Sequence, residues 1–213
     1  IRQIDNAIAP PPTVTDMSPV LRASIGLPPD GYVSGAIGRL SPEKNLTVLL
    51  DAFATIAASD PSTTLLIVGD GAEREALQAR AQALGVGKRV VFAGVREDME
   101  RIYPLIDCLV LPSLTEGMPL VVLEAMAYAI PIIATPVGDV PRLLARAGRS
   151  RLVPVGDVGA LVTAMRYAAA DPGARDEAGR DYVASRHFPA AMASAYLAVY
   201  RSLQMYGHDR KAS

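Results

Sequence analysis

The chain has 213 residues, half of them hydrophobic and a fifth charged, with 21 Lys and Arg against 22 Asp and Glu. That length suits one large domain or two small ones, and the apolar content excludes disorder for most of it. The balanced charge argues against a nucleic-acid partner, and the single cysteine, Cys108, excludes an intrachain disulfide and a cysteine-based metal cluster.

The chain begins with Ile1, and Ile1–Ala9 lacks the basic and apolar regions of a signal peptide, so the sequence reads as a piece cut from something longer. Residues 7–31 hold Pro10, Pro11, Pro12, Pro19, Pro28 and Pro29, a connector composition. Tyr32–Ile37 reads as a buried strand. Leu46, Leu49, Leu50, Phe53, Ile56 and Ala57 follow at helical spacing, with Asn45 as N-cap. Thr64–Val68 is the next strand, closed by a tight turn at Gly69-Asp70-Gly71. The helix Glu73–Leu84 comes after it, stopped by Gly85.

Further strands are expected at Arg89–Phe92, Cys108–Leu111, Ile130–Ala134 and Leu152–Val153, with helices near Met99–Leu105, Leu120–Ala129, Val140–Ala147 and Val158–Ala169. The longest apolar stretch, Ala125–Ala134, contains Pro131 and falls far short of the ~18 residues that cross a membrane. After residue 170 two closing helices are expected, Ala174–Ser185 and Ala190–Tyr206, then a frayed polar tail over Gly207–Ser213. Continuously apolar strands alternating with helices imply an α/β, Rossmann-like, doubly wound parallel sheet of about six strands with helices on both faces. Ligands of such sheets sit beyond the carboxyl ends of the strands, which directs attention to the strand-to-helix loops.

Two of those loops carry charge in a pattern that suits phosphate and hydroxyls. In Gly38-Arg39-Leu40-Ser41-Pro42-Glu43-Lys44-Asn45 two cations lie on a loop that opens a helix, where the helix N-terminus adds positive potential. Two solvated surface charges, partly neutralised by Glu43, are the plainer reading of that loop alone. In Pro112-Ser113-Leu114-Thr115-Glu116-Gly117-Met118-Pro119-Leu120, Pro119 suits the first turn of a helix, and free N–H groups around Met118–Leu120 suit an anion. Glu116 precedes that helix and Glu124 lies inside it, a spacing that lets both carboxylates reach one cleft. Glu116 as a cap and Glu124 as an exposed charge are the alternative. Yet Glu124 is embedded in the apolar run Leu120–Ala127, where a carboxylate without a partner is costly.

Other chemistries fail on their motifs. Gly69-Asp70-Gly71-Ala72-Glu73-Arg74 lacks the third glycine of a dinucleotide fingerprint, and Gly85-Val86-Gly87-Lys88-Arg89 lacks the spacing of a P-loop. Cys108 reads as core, and His187 and His208 as surface groups far from the loops.

Together, Gly38-Arg39-Leu40, Glu43-Lys44-Asn45, Gly69-Asp70-Gly71, Phe92-Ala93-Gly94 and Pro112-Ser113 leading through Glu116 to Glu124-Ala125-Met126-Ala127 resemble a retaining glycosyltransferase of the GT-B fold. The closest pattern is family 4, in its C-terminal, donor-binding domain, over roughly residues 33–165. By that resemblance 1–31 is the remnant of an interdomain linker, 32–189 the donor domain, and 190–213 a helix that packs towards the other half with apolar residues exposed. The resemblance implies that Arg39 and Lys44 bind the donor diphosphate and steady charge on the leaving group. Glu116 would hydrogen-bond the donor sugar rather than attack it, and Glu124 would bind the ribose. The backbone of Gly38 and of Gly117, Met118, Pro119 and Leu120 would cradle sugar and phosphate, and Val95 and Arg96 would border the base.

The same resemblance implies transfer from a UDP-, GDP- or ADP-sugar to an acceptor saccharide or glycolipid, with no metal and no other cofactor. The acceptor-binding N-terminal domain would lie outside this chain, which alone would be inactive. The enzyme would be cytoplasmic, peripheral at most on the inner face of the membrane. Alternatives are a non-catalytic Rossmann-like nucleotide- or partner-binding module and a GT-B sugar-nucleotide epimerase. Departures from the pattern are Ala7 and Asp139, where glycines are common, and Arg142, where a glutamate is usual.

Overall fold

Strands that are apolar on both sides need cover on both faces, and the fold supplies it. The computed structural model describes residues 4–12 and 19–209, with side chains to residue 202. Among the described residues the strands are β1 (Val33–Ile37), β2 (Thr64–Val68), β3 (Val90–Gly94), β4 (Cys108–Leu111), β5 (Ile132–Ala134) and β6 (Arg151–Leu152). They form one parallel sheet in the order β3-β2-β1-β4-β5-β6. This is the doubly wound sheet the alternating pattern implies.

The helices are α1 (Pro19–Ser24), α2 (Leu46–Ser59), α3 (Arg74–Ala83), α4 (Met99–Ile102), α5 (Leu120–Ala127), α6 (Val140–Leu144), α7 (Val158–Ala169), α8 (Glu177–Arg186) and α9 (Pro189–Asp209). Successive strand residues point to opposite faces. Leu66, Val68, Leu109, Leu111, Ile132 and Ala134 therefore join the core under α1, α4, α5, α6 and α8. Leu65, Ile67, Cys108, Val110 and Ile133 join the core under α2, α3 and α7.

Several expectations need correction. The proline-rich stretch before β1 contains α1, whose Pro19 occupies the first helical position, where a missing N–H costs little. Ile8, Leu21, Ile25 and Leu27 from this stretch are buried in the core. Pro119 is the N-cap of α5, extended at ψ 113°, and not a first-turn residue. Asn45 caps α2 by position only. It is left-handed at φ 52°, makes no capping bond, and spends its side-chain amide on Pro112 O at 3.3 Å. His187 is fully buried, with Nδ1 on Asn6 O at 2.9 Å, because it seats residues 6–8 against α8. The His208 side chain lies outside the described residues. Helix α9 runs on to Asp209, so residues 207–209 are helical and not a frayed tail, while 210–213 lie outside the described residues. Its exposed face carries Tyr196, Leu197 and Tyr200. Among the described residues no helix is long and apolar enough to cross a membrane.

Candidate functional site

The strand order reverses between β1 and β4, the point at which a doubly wound sheet opens a crevice beyond its carboxyl ends. A small pocket lies there, lined by Ile37, Gly38, Arg39, Lys44, Leu111 and Pro112. The loops around it are tied to one another through their backbones. Leu114 N–H donates to Glu43 O at 2.8 Å, Leu40 N–H to Asp70 O at 2.9 Å, and Asp139 N–H to Gly117 O at 2.9 Å. Thr135 Oγ1 donates to Ser113 O at 2.6 Å. Gly69, at φ +126°, lets the loop after β2 touch the loop after β1: a Cβ there would lie 1.9 Å from Gly38 O.

Lys44 and Glu116 meet inside this frame, 72 residues apart in sequence. Lys44 Nζ donates to Glu116 Oε1 at 2.6 Å, and Ser113 Oγ donates to the same oxygen at 2.7 Å. The side chains of Lys44 and Glu116 are 20% and 11% exposed. Both bonds fall on Oε1, so Oε2 has no partner among the described residues. An ammonium carries three donors, and one is used here. The pair is held in place by the fold and still presents unused donors and an unused acceptor to a ligand.

The other expected residues are less constrained. Arg39 is 76% exposed at its side chain and reaches Glu43 only at 3.5 Å, so its guanidinium is available at the mouth of the pocket. Val95 is 73% exposed. The Arg96 fork is engaged by Asp98 at 2.8 and 2.7 Å, which holds the arginine above its usual range and the aspartate below its own. Gly117 and Met118 N–H groups make no backbone bond among the described residues, and in the first turn of α5 Val122 N–H donates to Pro119 O at 3.1 Å while Leu120 and Val121 N–H have no helical acceptor. These amides and the Lys44 ammonium give the loop after β4 a donor-rich, positive character.

Glu124 occupies a different setting. It accepts a short hydrogen bond from Tyr103 OH, and the Tyr103 ring stacks on Tyr128 at 5.0 Å. Burial, then the bond to Glu124, pushes the Tyr103 phenol far above its ordinary value, so it stays protonated as the donor. Glu124 lines an open groove of about 470 Å³ with Met99, Tyr103, Tyr128 and the segment Ile8–Pro12. That groove shares no lining residue with the pocket at Lys44. Within α5, Glu124 is turned onto the face that packs against Tyr103.

The sequence matches the family described as "Glycosyl transferases group 1" over residues 18–182. The chain belongs to that family. It is 31% identical over 185 residues to the lipopolysaccharide core biosynthesis glycosyltransferase LpsE of Rhizobium meliloti, covering 85% of this chain and 53% of that protein. It is 30% identical to the 2-deoxystreptamine glucosyltransferase of Streptomyces kanamyceticus, covering 83% of this chain and 48% of that one.

Among solved structures, the sucrose-phosphate synthase of Thermosynechococcus elongatus aligns with a TM-score of 0.77 at 32% identity, over 87% of this chain and 48% of that one. A glycosyltransferase from Rickettsia africae aligns with a TM-score of 0.85 at 17% identity, over 94% of this chain and 56% of that one, which speaks to the fold alone. The chain thus spans about half the length of each of these two relatives.

In this group 1 family member, three residues not expected in the site hold the others. Ser113 braces Glu116, Tyr103 satisfies Glu124, and Asp139 fixes Gly117. Only Tyr103 had a usable signal, since a carboxylate inside the apolar α5 demands a donor from a neighbouring element. Ser113 and Asp139 act through loop folding that no periodicity reports.

Proposed function

We propose that this chain is the donor-binding half of a retaining glycosyltransferase, moving a hexose from a nucleoside diphosphate to an acceptor hydroxyl in polysaccharide or glycoconjugate synthesis. The observation that carries this reading is the Lys44–Glu116–Ser113 cluster at the strand-order reversal, half-satisfied and facing a donor-rich loop. Lys44 and Arg39 take the diphosphate, where charge builds as the bond from the anomeric carbon to the phosphate oxygen breaks. The N–H groups at the start of α5 add to that stabilisation. Glu116 Oε2 accepts from donor-sugar hydroxyls and orients the ring. Glu124, buttressed by Tyr103, takes the ribose hydroxyls beside the Val95–Arg96 loop. The acceptor oxygen then bonds to the anomeric carbon on the face the phosphate left, and its hydroxyl proton passes to the departing diphosphate. Polypeptide outside these 213 residues holds the acceptor, a division in keeping with a chain about half the length of those two relatives.

Calorimetric titration of the chain with UDP, GDP, ADP and their sugar conjugates tests the reading. One diphosphate is expected to bind selectively and to lose affinity in both Lys44→Ala and Glu124→Ala. A folded chain that binds all of them equally, or binds one with no loss in either variant, refutes it.

A further inference from the structure

Arg142 stands where the family resemblance implies a glutamate, and its neighbours account for it. Its Nη1 and Nη2 donate to the two carboxylate oxygens of Asp5, each at 3.2 Å, and Nη2 also donates to Asp139 Oδ2 at 3.2 Å. Asp139 in turn donates its backbone N–H to Gly117 O at 2.9 Å. Gly138, left-handed at φ +54°, brings this loop so close that a Cβ would lie 2.3 Å from both Glu116 O and Gly117 O. The loop after β5 is therefore seated on the backbone of the residues assigned to the donor sugar.

The other end of the bridge is also anchored. His187 Nδ1 carries a proton and donates to Asn6 O at 2.9 Å, because a carbonyl can only accept. Ile8 N–H donates to His187 O at 2.8 Å, and the Ile8 side chain is buried. Residues 5–8 are pinned to α6 on one side and to α8 on the other. The Arg142 guanidinium links that pinned segment to the Glu116–Gly117 backbone.

We infer that Arg142 is a positioning residue for the sugar-holding loop: anchored on Asp5, it sets Glu116 and Gly117 through Asp139. The inference rests on the donor-binding reading above. Ion pairs this exposed (41% for Arg142, 23% for Asp5 and 35% for Asp139) add little to global stability, so the bridge affects where the loop sits more than whether the chain folds.

The test uses Arg142→Gln, Asp5→Asn, the double variant and Arg142→Lys in the 213-residue chain. UDP and UDP-glucose are the probes, replaced by the GDP or ADP pair where the unmodified chain selects those. Each single Gln or Asn variant is expected to weaken the sugar conjugate by about 3- to 10-fold, the size typical of residues coupled in one network. Affinity for the free diphosphate should stay within about twofold, the double variant should be no weaker than the singles, and lysine should restore part of the loss.

Equal losses for both ligands, or none, overturn the inference and leave donor binding standing. Hydrogen exchange at the Asp139 amide decides the bridge without any ligand. Faster exchange in Arg142→Gln at an unchanged Tm supports it, and unchanged protection overturns it. A chain that binds no nucleotide at all would overturn the donor-binding reading instead.

Discussion

Two carboxylates at opposite ends of the same sheet use their oxygens differently. Asp176, at the amino end of β5, is buried and fully occupied. Its Oδ1 accepts from Gly148 N and Gly179 N at 2.8 and 3.1 Å, and its Oδ2 from Arg149 N and Ser150 Oγ at 3.0 and 2.9 Å. Ser150 Oγ passes the network on to Ile132 N, the first amide of β5. Glu116, beyond the carboxyl end of β4, takes both of its bonds on one oxygen and leaves the other open. The Asp176 network is closed and stabilises the chain, while Glu116 beyond the carboxyl end keeps unused capacity. Asp107, just before β4, accepts a single bond there, from Val33 N–H at 2.8 Å, and burial raises its carboxyl above the usual range.

The contrast predicts opposite kinds of loss. Asp176→Ala strands four donors around a buried site, and each unmet buried donor costs about 1–3 kcal/mol before relaxation. A loss of about 3–5 kcal/mol is expected, seen as a Tm lower by about 6–20 °C in thermal unfolding followed by circular dichroism. A drop of only a few degrees would end the distinction between the two ends of the sheet.

Glu116→Gln keeps the shape and is expected to leave Tm nearly unchanged, while sugar-nucleotide affinity falls by about 10- to 100-fold, or roughly 1.4–2.7 kcal/mol. Calorimetry of that variant sharpens the comparison. Unaltered affinity together with a fallen Tm would make Glu116 another structural hub.

Cys108, buried on β4, extends the closed end into pH dependence. Burial pushes its thiol from about 9.0 up to about 12, so between those values the unfolded chain releases a proton that the folded chain keeps. Stability then falls as pH rises, by about 1.4 kcal/mol per pH unit for this one group. Denaturant unfolding from pH 9 to 11 should show that slope, reduced in Cys108→Ala. A slope that Cys108→Ala leaves untouched would assign it elsewhere.

The smallest effect concerns Arg39. Highly exposed and only loosely paired with Glu43, it should cost less than about 0.5 kcal/mol of stability on replacement by alanine. Its contribution should appear only as weaker diphosphate binding.

How legible each feature was depends on how local its cause is. The runs at Thr64–Val68 and Cys108–Leu111 are read correctly to the residue, because a strand covered on both faces is almost wholly apolar between turn residues. The helix Val158–Ala169 is equally clear, and the structure adds the Asp157 side chain accepting from Ala160 N–H at its start. The short α1 was hidden by prolines that look like connector, and His187 was misplaced because its partners lie 181 residues away.

The residues of the candidate site were recognisable by type and family pattern, but their pairings were not. Lys44 meets Glu116 only because β1 and β4 lie side by side, and Arg142 meets Asp5 across 137 positions for a similar reason. The α/β class and the parallel doubly wound sheet could be read from the chain alone, since they follow from hydrophobic period and turn residues. Tertiary structure alone decided which oxygens are consumed and which remain open, because hydrogen-bond geometry is set between segments distant in the chain.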